Sequence, residues 1–128
     1  MVIMNKKQDI ALLLARIVLG IILTFHALAA MRGSNSMPFS GVAELGLPRW
    51  TAHVAIWVEV GCGLLLLLGK FTRIAAGLVA IHMILGARVH WHQGFLYGSD
   101  FPLALVALAG IFAAFGPGRY ALDSLRKT

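Results

Sequence analysis

Four long apolar runs occupy most of this 128-residue chain and leave little sequence between them. They extend over residues 10–31, 50–68, 72–91 and 101–115. Because an α-helix rises 1.5 Å per residue, about 20 apolar residues cross the ~30 Å hydrocarbon core of a bilayer. The first three runs reach about that length, and the fourth, at about 22 Å, is short for a span. The runs predict four transmembrane helices.

The composition leads to the same class of protein. Hydrophobic residues make up 59% of the chain, charged residues only 12%, and the mean hydropathy is +0.84. A soluble domain carries about 25% charged residues. A chain this short cannot bury all its apolar surface within itself, so the lipid bilayer is the expected partner. We therefore predict an all-α fold, an integral membrane four-helix bundle forming a single transmembrane domain over residues 1–128.

The links between the runs predict how the helices are connected. Residues 69–73 are so short a link that the second and third helices must be antiparallel neighbours, with Thr72 as the N-cap of the third. Between helices 1 and 2, Pro38 and Pro48 bracket a stretch that mixes apolar and polar residues. This stretch is expected to form a short interfacial helix.

The basic residues predict orientation rather than nucleic-acid binding. The formal net charge is +6, but most of these residues lie at the edges of apolar runs and form no basic face. If the N-terminus is cytoplasmic, seven basic residues lie on that side: Lys6, Lys7, Lys70, Arg73, Arg119, Arg126 and Lys127. The opposite side holds Arg32, Arg49 and Arg88. The excess predicts a multi-pass protein with both termini in the cytoplasm.

Two charged residues fall inside the apolar runs, Arg16 in the first and Glu59 in the second. A charge at the centre of a bilayer costs at least about 2.5 kcal/mol on insertion scales, so both are expected to face the bundle interior. Opposite charges at similar predicted depths favour a direct Arg16–Glu59 pair. The pair has two interpretations: a structural clasp, or a polar site for a proton, an ion or a quinone carbonyl.

The histidines lie unevenly through the predicted membrane depth. His26 joins Arg16, Glu59 and mid-depth His82 as a candidate for an intramembrane polar site. Near the outer ends of the helices lies a second set, His53, Arg88, His90, His92 and Asp100. On a regular helix His90 and His92 point ~200° apart, so their spacing gives little support to a metal site. We expect this set to anchor the helices at the interface and to form hydrogen bonds.

Small residues predict where helices approach closely. Gly20 lies on the same helical face as Arg16, and Gly61, Gly63, Gly77 and Gly86 offer similar contacts on the second and third helices. The chain has no phosphate-binding glycine loop, Cys-x-x-Cys pair, His-Glu-x-x-His motif or nucleophile elbow. Any chemistry must therefore come from the intramembrane polar groups or from a partner.

Several weak motifs, taken in order, resemble the DoxX family of small four-helix membrane proteins over nearly the full chain. They are Arg16 with Leu19 and Gly20, then His26, the Gly46-Leu47-Pro48 turn, Glu59 with Gly61 and Gly63, Leu68-Gly69 with Arg73, Gly94-Phe95, Asp100, Gly116-Pro117-Gly118, and Leu122-Asp123. The resemblance implies a plasma (inner) membrane setting. It also implies relatives that are subunits of thiosulfate:quinone oxidoreductase or partners in thiol-redox complexes.

The resemblance and the polar residues together favour an accessory or quinone-facing subunit of a membrane redox complex, with a protein partner or a homo-oligomer. Any catalysis would then be that of a quinone-linked oxidoreductase, with a quinone bound near Arg16, Glu59 and the outer histidines. One alternative is a structural or assembly protein without catalysis. Another is a small transporter, which a liposome flux assay would distinguish.

Overall fold

A computed structural model describes residues 4–34 and 36–125, and this part of the chain is all-helical. Its α-helices are α1 (Lys6–Met31), α2 (Met37–Glu44), α3 (Trp50–Leu68), α4 (Thr72–Val89) and α5 (Asp100–Phe115). Short 3-10 helices lie at His90–Gln93, Phe95–Tyr97 and Leu122–Leu125. The all-α prediction is confirmed.

Three of these helices are long and apolar enough to cross a membrane. They are Lys6–Met31, Trp50–Leu68 and Thr72–His92, the last including the 3-10 turn after α4. α5 is apolar but has 16 residues, which as a helix rise about 24 Å. Large apolar side chains such as Leu14, Trp57 and Ile74 remain more than half exposed on α1, α3 and α4. Water does not stabilise so much apolar surface, so this is a membrane protein.

α1 begins one turn earlier than the apolar run predicted. Asn5 accepts a hydrogen bond from the backbone N–H of Gln8, and the Gln8 side chain accepts one from the N–H of Asn5, both at 2.9 Å. This capping box starts the helix at Lys6 and brings Asp9 into its first turn. The predicted short helix between the first two runs is present as α2, with Pro38 in its first turn.

α1 packs against α3 through two glycines. A Cβ on Gly20 would lie 2.8 Å from the carbonyl oxygen of Gly63, and a Cβ on Gly63 would lie 2.6 Å from Oγ1 of Thr24. The predicted close approach is confirmed for these two residues. It is wrong for Gly61 and Gly77, which face no atom of the described residues within 4 Å.

The buried core joins all four long helices. Leu19 of α1, Leu66 of α3, Val79 of α4 and Phe112 of α5 belong to one apolar cluster, and Cys62 packs in it as a buried free thiol. Beyond α5 the chain turns at Gly116 and Gly118, which have φ of +78° and +82°. Residues 116–125, named here the tail cap, then fold back against the ends of α1, α3 and α4.

Candidate functional site

A cavity of about 670 Å³ lies between the C-terminal halves of α1 and α4, the N-terminal halves of α3 and α5, and α2. Most of its lining is apolar, including Ile22, Phe25, Met83 and Leu105. The polar side chains that line it are His26, Ser34, Thr51, Glu59, His82 and His90. A largely apolar cavity of this size with a few polar groups is the usual form of a small-molecule site.

Glu59 and His82 form the central polar pair of the cavity. Oε2 of Glu59 lies 3.4 Å from Nε2 of His82. The Glu59 side chain is 9% exposed and that of His82 26% exposed, so the histidine has the wider access to the cavity. Between them the two groups can hold a proton next to a bound polar atom, since either an imidazole N–H or a carboxyl O–H donates a hydrogen bond.

His90 begins the 3-10 turn that follows α4 and lines the same cavity as His82, eight residues further along the chain. Its Nδ1 lies 2.8 Å from the carbonyl oxygen of Gly86. Because a carbonyl oxygen only accepts, Nδ1 carries the proton and donates it. His90 therefore has Nε2 left to meet a ligand, and the ring is held in one orientation by its own helix.

His26 reaches the cavity from α1. Its ring stacks on that of Phe101 of α5, with centroids 5.6 Å apart and planes 20° from parallel. The contact joins α1 to α5 beside the cavity. Among the candidates predicted from sequence, the cavity thus brings together His26, Glu59, His82 and His90.

The remaining outer candidates do not line this cavity. His53 packs edge-on against Phe39 of α2 at 5.2 Å, and Arg49 lies over the same Phe39 ring at 4.5 Å. Arg88 and His92 are exposed, and Asp100 accepts a hydrogen bond from the backbone N–H of Phe101 at 2.9 Å. The outer polar set therefore divides between the cavity and the surface. Among residues 4–34 and 36–125, no three His, Cys, Asp or Glu side chains could hold one metal ion.

Arg16 lies at the opposite end of the molecule and is 1% exposed. Its Nη2 donates a hydrogen bond to the carbonyl oxygen of Tyr120 in the tail cap at 2.6 Å, and the Asp123 carboxylate attracts the guanidinium. Gly69 faces the guanidinium so closely that a Cβ there would overlap Nη1. No described residue accepts a hydrogen bond from Nε or Nη1. The chain itself surrounds this charge.

The predicted Arg16–Glu59 pair is wrong. Arg16 lies opposite Gly69, whereas Glu59 precedes Gly69 by ten residues of α3, or about 15 Å of helix. Each residue has another partner, the tail cap for Arg16 and His82 for Glu59. Depths counted from the ends of the apolar runs do not give the α1–α3 register, which depends on the close approach of Gly20 to Gly63.

The N-terminus of α4 is also capped differently from the prediction. Thr72 was expected to be the N-cap, but its Oγ1 is buried and has no partner among the described residues. Asp123 of the tail cap instead accepts hydrogen bonds from the backbone N–H of Phe71 at 2.8 Å and of Thr72 at 2.9 Å. A carboxylate at a helix N-terminus satisfies unpaired N–H groups and the helix dipole.

The Asp9 contact with the tail cap and the Glu59–His82 pair are absent from the sequence predictions, although the sequence contains a signal for each. Asp9 is buried and accepts a hydrogen bond from the backbone N–H of Arg119 at 3.0 Å, which is a second anchor for the tail cap. Asp9 precedes Arg16 by seven residues, so the two share a helical face.

Glu59 lies ten residues before Gly69 and His82 lies ten residues after Thr72. A hairpin of the two helices therefore places Glu59 and His82 at the same level.

Two known proteins are similar to this chain over most of its length. The "Putative oxidoreductase CatD" of Bacillus subtilis (strain 168) is 33% identical over 123 residues, which cover 94% of this chain and 90% of the relative. The "Inner membrane protein YqjF" of Escherichia coli (strain K12) is 28% identical over 131 residues, which cover 95% and 96%. No solved structure matches the chain significantly.

The sequence model of the DoxX family matches residues 11–93. This is more than half of the chain, and it contains Arg16 and all four cavity candidates, His26, Glu59, His82 and His90. The resemblance predicted from sequence is confirmed, and this chain belongs to the DoxX family of membrane proteins.

Proposed function

We propose that this chain is a quinone-facing subunit of a membrane redox complex and that the cavity binds the quinone headgroup. In this proposal residues 1–128 form one transmembrane domain, a bundle in which α1, α3, α4 and α5 span the membrane as antiparallel neighbours. Both termini are cytoplasmic, so the cavity lies in the outer half of the membrane. The observation that carries the proposal is the Glu59–His82 pair inside a largely apolar cavity.

The chemistry of the cavity suits a quinone. Such a ligand has an apolar ring, carbonyl oxygens that only accept hydrogen bonds, and a lipid-soluble tail. An N–H of His82 or an O–H of protonated Glu59 supplies the donor that one carbonyl oxygen needs, and the apolar walls accept the ring. An unpaired ionised side chain at membrane depth costs free energy. Two ionisable side chains that pair with each other and that a ligand can reach, as Glu59 and His82 do, are therefore candidates for a functional site.

Reduction of a quinone to a hydroquinone takes two electrons and two protons. The Glu59–His82 pair would hold one of these protons beside a carbonyl oxygen, water at the membrane surface would supply the other, and a redox partner subunit would deliver both electrons. The word oxidoreductase in the name of the B. subtilis relative supports a redox setting, and the name of the E. coli relative supports the inner membrane.

The distribution of basic residues supports the proposed orientation. Lys70 and Arg73 flank the link at the Arg16 end, whereas Arg32, Arg49 and Arg88 lie toward the cavity end. Lys6, Lys7 and Arg119 add to the first group. Arg126 and Lys127, which also entered the prediction, lie outside the described residues. An excess of basic residues favours the cytoplasmic side.

A binding experiment tests the proposal on purified protein in detergent. A short-tailed quinone analogue should raise the melting temperature, because a ligand at 100 times its Kd stabilises a protein by about 2.7 kcal/mol. Glu59→Leu and His82→Leu should each weaken binding by about tenfold, since each removes one hydrogen-bonding group worth about 1.4 kcal/mol.

Two controls make this result specific. His53→Leu changes a histidine that packs on Phe39 outside the cavity, so it should leave the affinity unchanged. An analogue with the same tail but no carbonyl oxygens should give little shift. Equal shifts with both analogues, or no response of the unmodified protein at saturation, would reject the quinone site.

The tail cap favours a second candidate, a structural or assembly protein. Arg16, Asp9 and Asp123 all serve to hold residues of one chain together. If that were the function of the whole molecule, the cavity residues would be replaceable without loss of the complex. Co-purification of the same partner with the unmodified protein and with the Glu59→Leu variant, together with no response to quinone, would support this candidate.

A further inference from the structure

α1 presents two different faces to its neighbours over its C-terminal half. Gly20 and Thr24 face α3, where a Cβ on Gly63 would lie 3.1 Å from the carbonyl oxygen of Gly20 and 2.6 Å from Oγ1 of Thr24. The residues that line the cavity form another stripe at i, i+3, i+4 and i+7: Ile22, Phe25, His26 and Ala29. This second stripe faces away from α3. The cavity therefore lies on the side of α1 turned toward α5.

Two sides of the cavity differ in what covers them. On the side between α3 and α4, α2 lies across the opening: Phe39 packs on His53 of α3, and a Cβ on Gly41 would lie 3.7 Å from Val89 of α4. Between α1 and α5 the helices meet over a much smaller area than α1 and α3 do. There the described contact beside the cavity is the stack of His26 on Phe101.

The aromatic residues of this seam face both the cavity and the surroundings. Phe25 of α1 and Phe101 of α5 line the cavity, yet they are 65% and 46% exposed. Both helices are apolar along their outer surfaces, so the seam opens to lipid rather than to water. Two stacked rings hold it with an interaction of about 0.5–1.5 kcal/mol, which thermal motion breaks readily.

We infer that the α1–α5 seam is a lateral portal through which a membrane-dissolved quinone reaches the cavity, with His26 and Phe101 as its gate. This inference rests on the proposed function and assigns the route and the ligand class, a quinone whose apolar tail remains in the lipid. When the headgroup lies against Glu59 and His82, the tail leaves between α1 and α5. In this scheme His26 and Phe101 control the passage of the quinone and do not react with it.

A reversible cross-link tests the portal in lipid nanodiscs. In a Cys62→Ser background, the pair His26→Cys and Phe101→Cys is joined by a short bis-methanethiosulfonate reagent, and binding of a radiolabelled long-tailed quinone is followed, with protein-free nanodiscs as the blank. Linking before the quinone is added should slow association at least tenfold, and linking afterwards should slow release equally. A reductant should restore both rates.

The matched control uses the ring pair that joins α2 to α3 outside the cavity. Phe39→Cys with His53→Cys joins α2 to α3 across rings of similar separation, 5.2 Å against 5.6 Å. This link leaves the α1–α5 seam open and should not change the rates. A cross-link-free test of the same gate is Phe101→Ala, which should speed association severalfold, whereas Phe115→Ala on the same helix should not.

The outcomes separate this inference from the proposed function. Slowing by the His26–Phe101 link alone supports the portal. Unchanged rates with that link, or slowing by the Phe39–His53 link instead, overturn the portal while leaving the quinone site intact. Absence of quinone binding, above the blank, by the protein without any link overturns the site itself and the portal with it.

Discussion

The two ends of this molecule treat their buried polar groups in opposite ways. At one end the Arg16 guanidinium is enclosed by the tail cap, α1 and the α3–α4 link. At the other end Glu59 and His82 pair beside a cavity of about 670 Å³. Both ends contain groups that lipid excludes. The difference teaches that burial alone does not distinguish a charge enclosed by its own chain, such as Arg16, from one that borders open space, such as Glu59.

The largest expected effect is on stability at the Arg16 end. Arg16→Leu should lower the free energy of unfolding by about 3 kcal/mol, because it removes one partner of a buried charge interaction and leaves the Tyr120 carbonyl without its donor. Glu59→Leu makes the same replacement at the cavity end and should cost less than about 1 kcal/mol, since Glu59 borders open space there. Thermal unfolding in one detergent measures both.

The two variants should also differ in binding. Arg16→Leu protein that remains folded should keep its quinone affinity, whereas Glu59→Leu should weaken that affinity. Equal losses of stability from the two substitutions would contradict the division of the molecule into a structural end and a ligand-facing end.

A smaller effect is expected where the tail cap meets α4. Asp123→Ala removes the acceptor for the backbone N–H groups of Phe71 and Thr72, which should cost about 1–2 kcal/mol and speed hydrogen exchange at these two amides. Asp100→Ala is the matched control at the start of α5, where, among residues 4–34 and 36–125, the carboxylate accepts a hydrogen bond only from the adjacent N–H of Phe101. It should cost less. A loss no greater than that of Asp100→Ala would show that the tail cap does not stabilise the end of α4.

The helices could be predicted because lipid imposes simple requirements on sequence. An apolar run of about 20 residues has few alternatives to a helix, and α3 has the predicted bounds, Trp50–Leu68. The start of α1 was missed by four residues because Asn5 and Gln8 form a capping box in polar sequence, which hydropathy does not detect. α4 gives way to a 3-10 turn at His90, which the run through residue 91 concealed.

Individual residues of the candidate site could be predicted from the sequence, but the way in which they are arranged could not. Arg16 and Glu59 were rightly expected to be buried, yet their pairing depended on the register between α1 and α3, which a contact of two glycines fixes. The role of Asp123 depended on a tail that folds back over a long sequence separation. The cavity could not be predicted from the sequence. The residues of α1 that line it recur with the same helical period as residues that pack against a neighbouring helix.

The smallest expected effect is the coupling between the two ends. If Arg16 and Glu59 lie about 15 Å apart along the helices, the Arg16→Leu and Glu59→Leu double variant should lose stability equal to the sum of the single losses within about 0.5 kcal/mol. A direct clasp would instead leave one charge unpaired in each single variant and none in the double. The double variant would then be markedly more stable than the sum requires, by more than about 1 kcal/mol. The free energy of unfolding of the unmodified protein, the two single variants and the double variant, measured under one set of conditions, decides between these results. A large coupling would mean that the Arg16 and Glu59 side chains interact directly, and the two ends would have to be treated as one site.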